Sequence, residues 1–226
     1  VPTSSGRAWS TSPGVSSPAM LRRGRQGRVK ENKMPRVGLS AERVVERAAQ
    51  IVDADGLEAL SLSRLAADLG VAPPSLYKHV AGMGDLVQQV SVRAVGELAD
   101  RLAASVMGRA GRDALRALAE AYRTFAHEHP GLYPMTQVPV ETPEGESDPM
   151  RSMAARRTVD IVTAALAGYR IPDERMVDAV RMTRASLHGF VDIEVHGGFA
   201  MDAPTDMSFA ILVDSLDVAL TALGEQ

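Results

Sequence analysis

The chain has 226 residues, 45% of them hydrophobic, which is ample for one or two compact domains and excludes disorder throughout. Cysteine is absent, so disulfides, thiolate nucleophiles and cysteine-based zinc or iron-sulfur sites are excluded. The net charge of -3 points to no particular partner, but its distribution along the chain is uneven.

Residues 1–36 carry Arg7, Arg22, Arg23, Arg25, Arg28, Lys30, Lys33 and Arg36 against Glu31 alone, a local balance of +7 that leaves -10 for the rest. Ser, Pro, Gly and Arg dominate here and Trp9 is the sole large aromatic, so the expectation is a disordered basic arm. Such an arm either draws the chain toward phosphates or is a solvated tail, and composition admits both. Val1 opens the sequence while Met20 and Met34 stand just ahead of the first helix, so the natural start is left open within this segment. The first 21 residues lack the apolar core of a secretory signal, and no apolar run approaches the roughly 20 residues that span a bilayer. The expectation is a cytoplasmic protein without membrane contact.

From Ser40, an N-cap residue, Val44, Ala48, Ile51 and Val52 recur at helical spacing and predict an amphipathic helix ending near Asp55-Gly56. Leu62, Leu65, Ala66 and Leu69 repeat the pattern over two turns, and Gly70 supplies the left-handed residue that stops a helix. After the turn, Pro73 can open a third helix with Leu76 and Val80 inward and Gly82 at its end. Two short helices joined by a glycine-containing turn have the proportions of a helix-turn-helix. In that geometry the first helix of the pair crosses the DNA backbone, and the second lies in the major groove presenting Pro74, Ser75, Tyr77, Lys78 and His79. Ser63 and Arg64, on the helix that crosses the backbone, complete the DNA-binding set.

The run Leu62-Ser63-Arg64-Leu65-Ala66-Ala67-Asp68-Leu69-Gly70-Val71, followed by Ser75-Leu76-Tyr77-Lys78-His79-Val80 and Asp85-Leu86, closely resembles the N-terminal domain of the tetracycline-repressor (TetR) family. Ala66, Gly70-Val71, Leu76-Tyr77, His79 and Leu86 match its motif, and the likeness covers roughly residues 38–95. The resemblance implies that Tyr77, Lys78 and His79 grip phosphates while Pro74 and Ser75, at the start of the third helix, read bases. Two departures stand out. Many members carry a lysine at the start of the fourth helix where this chain has Gly84, and Pro73-Pro74 removes two backbone donors from the recognition segment.

A long fourth helix is expected from about Gly84 to Met107, with Val87, Val90, Ala94, Leu98 and Leu102 inward. Leu115, Leu118, Ala119, Tyr122, Phe125 and Ala126 make a clean helical stripe broken by Pro130-Gly131, and a short helix is expected around Leu132 to Val138. Residues 139–149, with three prolines and four acids, read as a loop. Val159, Val162, Leu166 and Tyr169 mark the next helix. Between Asp173 and His196 apolar residues fall on more than one face, and Asp206 to Leu223 forms the last helix, so these two are expected to pair across a two-fold axis. Gly189 reads as a point of close helix packing. His129-Pro130-Gly131-Leu132-Tyr133 and His188-Gly189 resemble a TetR subgroup marked by a Trp-His-Gly tripeptide, with Leu187 in place of the tryptophan.

The expected architecture is all-α with about nine helices: the arm over 1–36, a three-helix DNA-binding domain over 37–84, and a ligand-binding and dimerisation domain over 85–226. The resemblance implies a homodimer on double-stranded operator DNA, released when a small molecule enters an apolar C-terminal pocket. Tyr122, Phe125, Met153, Met182 and Phe190 are the candidate walls, although aromatic and Met residues at this spacing are more often core. A constitutive or partner-controlled regulator is the alternative. Catalysis finds little support, because His127 and His129 are two residues apart and point to different sides of a helix, whereas zinc helices use i, i+4 histidines. No catalytic residue, cofactor or metal is expected.

Overall fold

The computed structural model describes residues 39–138 and 149–225. Expectations for the arm over 1–36 and for the loop over 139–148 lie outside them. Residues from Leu39 onward form one compact unit. Among the described residues there is no strand; seven α-helices and four short 3₁₀ segments stand where about nine helices were expected.

Helix α1 (Ala41–Asp55) opens at Ser40, whose side chain accepts from the Arg43 backbone N–H at 3.2 Å, and it buries Val44, Val45, Ala48, Ala49, Ile51 and Val52. After a 3₁₀ turn at Leu57–Ala59, α2 (Leu62–Leu69) is capped in the same way by Ser61, which accepts from Arg64 N–H. Gly70 ends it at φ 67 and ψ 33. Its N–H and that of Val71 turn back to the Ala67 and Ala66 carbonyls, closing the helix in a left-handed cap that a Cβ would strain.

The third segment departs from expectation. Pro73–Lys78 is a 3₁₀ helix, not an α-helix, and Ala72 before it is extended. Ser75 N–H reaches Ala72 O and His79 N–H reaches Leu76 O, each across three residues as in a 3₁₀ helix. Leu76 and Val80 are nonetheless fully inward.

Helix α3 (Met83–Val106) is the spine. It starts directly after the recognition segment, with the Asp85 carboxylate accepting from Ala81 N–H, and buries Leu86, Val90, Ala94, Leu98 and Leu102 against α1, α4 and α5. Helix α4 (Gly111–Glu128) buries the expected stripe with Ala114 added. The expected short helix is a 3₁₀ turn at Pro134–Gln137, held to α3 by the buried Ser91 hydroxyl donating to Met135 O at 2.7 Å.

Helix α5 (Pro149–Leu166) begins ten residues earlier than the apolar marks from Val159 suggested, and a 3₁₀ turn at Ala167–Tyr169 closes it. Helices α6 (Asp173–Val195) and α7 (Thr205–Gly224) complete the unit. By length and composition alone α7 is apolar enough to cross a membrane, with a mean hydropathy of 1.6 in its 18-residue window, although Asp206, Asp214 and Asp217 keep it from being an unbroken apolar run. Its own charges dock it instead: Asp214 takes Arg112 and Arg116 of α4, and Asp217 accepts from the Tyr169 hydroxyl at 2.6 Å. At Gly189, expected to mark close helix packing, a Cβ would meet nothing within 4 Å in the protomer, so no helix of the same chain makes that approach.

Candidate DNA-reading surface and ligand cavity

The helix-turn-helix holds its contact residues outward by burying the ones between them. Leu76 and Val80 are buried in the core as the recognition segment packs on α2, leaving Tyr77 59% exposed with Pro74 and Lys78 beside it. Ser75 and His79 are half-buried at its edges. An exposed tyrosine of this size has no packing reason to be there, whereas its hydroxyl and the Lys78 ammonium are suited to phosphate oxygens. On α2, Ser63 is exposed, but Arg64 is engaged within the protein by the Asp55 carboxylate and the Ala59 carbonyl. The Arg47 guanidinium on α1 clasps Asp68 on α2 at 2.7 Å, fixing the angle between these helices. Gly84 is exposed at the start of α3 with open space around it, so no steric reason keeps a lysine out.

A cavity of about 370 Å³ lies among α3, α4, α5, α6 and the 3₁₀ turn at Pro134–Gln137. Val95, Leu98 and Leu102 of α3 form one wall, Leu118 and Tyr122 of α4 another, and Val162, Val180 and Leu187 close it from α5 and α6. Its polar boundary comes from Thr136, Gln137, Thr158 and Thr183 with Arg156 and Arg184. Of the expected walls only Tyr122 lines it. Phe125 is wholly buried beside it in the joint to α1, where it meets the His129 ring at 5.1 Å and the Arg101 guanidinium at 5.5 Å. Met153 is exposed, Met182 packs against the core elsewhere, and Phe190 stacks between Phe199 and Phe209 under α7.

The segment from His129 to Tyr133 joins the two ends of the molecule. Arginine can only donate, so Arg101 Nη2 at 2.9 Å assigns the lone pair of His129 to Nε2, and the Nδ1 proton is then donated to Asp53 of α1 at 2.7 Å. Gly131 lies so close to α1 that a Cβ would sit 2.0 Å from the Val52 carbonyl oxygen. Two residues on, Tyr133 is buried with its hydroxyl 2.7 Å from His188 Nδ1 on α6 and 3.3 Å from the Tyr122 hydroxyl. Burial pushes the Tyr133 and Tyr122 phenols up from their ordinary value, so both stay protonated as hydrogen-bonding groups. The two motifs singled out in the sequence therefore meet through Tyr133 and His188.

The three consecutive residues considered for catalysis are dispersed. His127 pairs with Glu194 at 2.9 Å, Glu128 with Arg101, and His129 with Asp53. Glu194 is itself buried by Arg123, whose guanidinium grips both its oxygens at 2.6 and 2.8 Å, and these bonds pull its carboxyl down to about 2. Among the described residues no group of three histidines or carboxylates could hold a metal ion. Sequence reasoning missed Asp53, Arg101, Gln137, Arg156 and Arg184, whose partners lie far away in the chain and leave no local pattern.

An all-α chain with a helix-turn-helix ahead of a larger helical unit has the build of a helix-turn-helix transcriptional regulator. Residues 115–216 match the family model of the tetracyclin repressor-like C-terminal domain. The chain is 34% identical over 198 residues to an uncharacterized HTH-type transcriptional regulator, Rv0681, of Mycobacterium tuberculosis, covering 87% of this chain and 88% of that one. It is 34% identical over 181 residues to the uncharacterized HTH-type transcriptional regulator YobS of Bacillus subtilis, covering 78% and 91%. Among solved structures, a protein of unknown function from Rhodococcus sp. RHA1 superposes with a TM-score of 0.70 at 25% identity, over 84% of this chain and all of that one. The chain belongs to the TetR family of transcriptional regulators.

Proposed function

We propose that this regulator binds a near-palindromic operator as a homodimer and leaves it when a small molecule fills the cavity. The observation that carries the reading is α3, one continuous helix that begins a four-residue link after the recognition segment and whose Val95, Leu98 and Leu102 wall the cavity. A ligand pressing on that wall moves the same rigid element that sets the pose of Tyr77 and Lys78. The shift follows only if the ligand prefers the pose that cannot bind DNA. The joint from Gly131 and His129 to α1 gives the cavity a second hold on the DNA-reading end.

Dimerisation rests on the outer face of the last two helices. Val177 and Ile193 on α6 and Met207, Ile211 and Val218 on α7 are exposed, and α7 is the most apolar helix of the chain. Ala185, Gly189 and Ile193 follow one another at intervals of four on α6, so the open space at Gly189 suits the approach of a helix from a second copy. Two recognition segments about 34 Å apart then read successive turns of one DNA face. Such a protein works in the cytoplasm, as a repressor in the family's commoner mode.

The test is a small-molecule screen that reads melting temperature and operator affinity together. At least one compound is expected to raise the melting temperature and loosen DNA, and Val162→Trp, which fills the cavity, should bind DNA but ignore that compound. If every stabilising compound left DNA affinity unchanged, the protein would be a constitutive regulator and the sensor reading would fall.

A further inference from the structure

We propose that the cavity takes an amphipathic organic anion, with an apolar body among α3 to α6 and a carboxylate-like head at the rim between Arg156 and Arg184. The inference rests on the sensor reading for its consequence, but its chemistry comes from the lining itself. The hydroxyls of the interior offer a ligand almost no free hydrogen-bond donor. The Thr183 hydroxyl donates to Ala179 O at 2.9 Å, Thr158 to Ala154 O at 3.2 Å and Thr136 to Tyr133 O at 2.7 Å, while the Tyr122 hydroxyl is taken up by Tyr133. A body rich in hydrogen-bond acceptors would lose its water there and find no donor, and the walls are otherwise aliphatic, so an apolar body suits the space.

The rim is different. Arg156 and Arg184 are both exposed and both line the cavity, and no acidic residue lines it among the described residues. Arg47, Arg64, Arg93, Arg101, Arg123 and Arg157 each hold a carboxylate. Arg157 is the direct neighbour of Arg156 and pairs with Asp100 at 2.6 Å, whereas Arg156 has no partner among the described residues. Arg184 has a neutral one, donating to Gln137 Oε1 at 3.1 Å, and Gln137 donates in turn to Thr136 at 2.8 Å. Two guanidinium groups on one rim, beside apolar walls that weaken solvent screening, favour a single anionic group and disfavour a cation. The planar fork of arginine suits a carboxylate in particular.

The experiment compares decanoate, decanol and decyltrimethylammonium on the full-length chain below their micelle concentrations, by displacement of a fluorescent probe and by calorimetry. Decanoate is expected to bind saturably, one per chain, at least tenfold more tightly than decanol and more tightly still than the cation. In Arg156→Gln/Arg184→Gln the carboxylate-over-alcohol preference should collapse to about twofold or less, with the melting temperature of the free protein as the check that it folds. Equal binding of acid and alcohol to the native chain would overturn the anionic head, as would an undiminished preference in the double variant. Binding of none of the three would overturn the proposal outright. Arginine-dependent decanoate binding that left DNA affinity unchanged would support the anion site and sink the sensor reading instead, so the two fail separately.

Discussion

Between Ser61 and Val80 the side chains that matter stand outside, and what holds them is local: Ser61 caps α2, Gly70 closes it, and Leu76 and Val80 dock within twenty residues of where the motif began. Around the cavity the reverse holds. Its walls come from residues between Val95 and Leu187 on four helices and one turn, and the hydroxyls of Tyr122, Thr158 and Thr183 bond to another element or to the preceding helical turn. A surface that must meet one invariant polymer can be a short motif. A cavity is built by packing, and each residue in it answers to several others.

The joint between these regions is where that difference is easiest to break. Gly131→Val places side-chain atoms into the Val52 carbonyl and should cost more than about 4 kcal/mol or prevent folding, as read by chemical denaturation. An ordinary loss below about 1 kcal/mol would mean that the turn and α1 part easily and that the joint transmits nothing. Next in size is the Arg123–Glu194 pair, which fastens α4 to α6 with both side chains mostly buried. Glu194→Gln should cost about 3 kcal/mol. Because the folded carboxyl lies near 2, below its ordinary value of 4.5, its stabilisation is complete above the ordinary range and is lost as pH falls toward 2. The variant's acid limb between these values should therefore be flatter than the parent's; parallel curves would contradict the assignment.

Ile211→Glu with Val218→Glu charges the exposed face of α7 without touching its buried Phe209, Val213, Leu216 and Leu220. Light scattering should then report a monomer, and operator affinity should fall on the order of 100-fold as one half-site is lost. An unchanged dimer would move the interface elsewhere. The smallest effect belongs to Gly84→Lys, where open space at the start of α3 admits the side chain. Affinity should rise a few-fold on any duplex, with the salt dependence steepened by about one phosphate contact per subunit. No change in the salt slope would place this helix start away from the backbone.

The same contrast explains what could be read from the amino acids alone. Caps, the left-handed glycine and the inward Leu76 and Val80 are dictated within a few residues, so α1, α2 and the orientation of Tyr77 were legible. The 3₁₀ form of Pro73–Lys78 was not legible, since prolines at the first helical positions are compatible with either helix type. The stripe of α4 located Tyr122, yet periodicity cannot tell a wall of a cavity from a wall of the core, and Phe125 one turn later is the latter. Arg156 and Arg184 look like surface charges in the chain. Only the fold brings them to one cavity, where no carboxylate among the described residues pairs with them.

The account stands first on DNA recognition by the exposed recognition segment. The most direct measurement is fluorescence anisotropy of the parent and of Tyr77→Ala/Lys78→Ala on the protein's own upstream DNA and on a random duplex, at two salt concentrations. The account predicts tight, sequence-selective binding by the parent that falls on the order of 100-fold in the variant, with the salt slope reduced by about one per subunit. Equal binding to both duplexes, unchanged in the variant, would contradict it and leave the basic arm as the nucleic-acid contact.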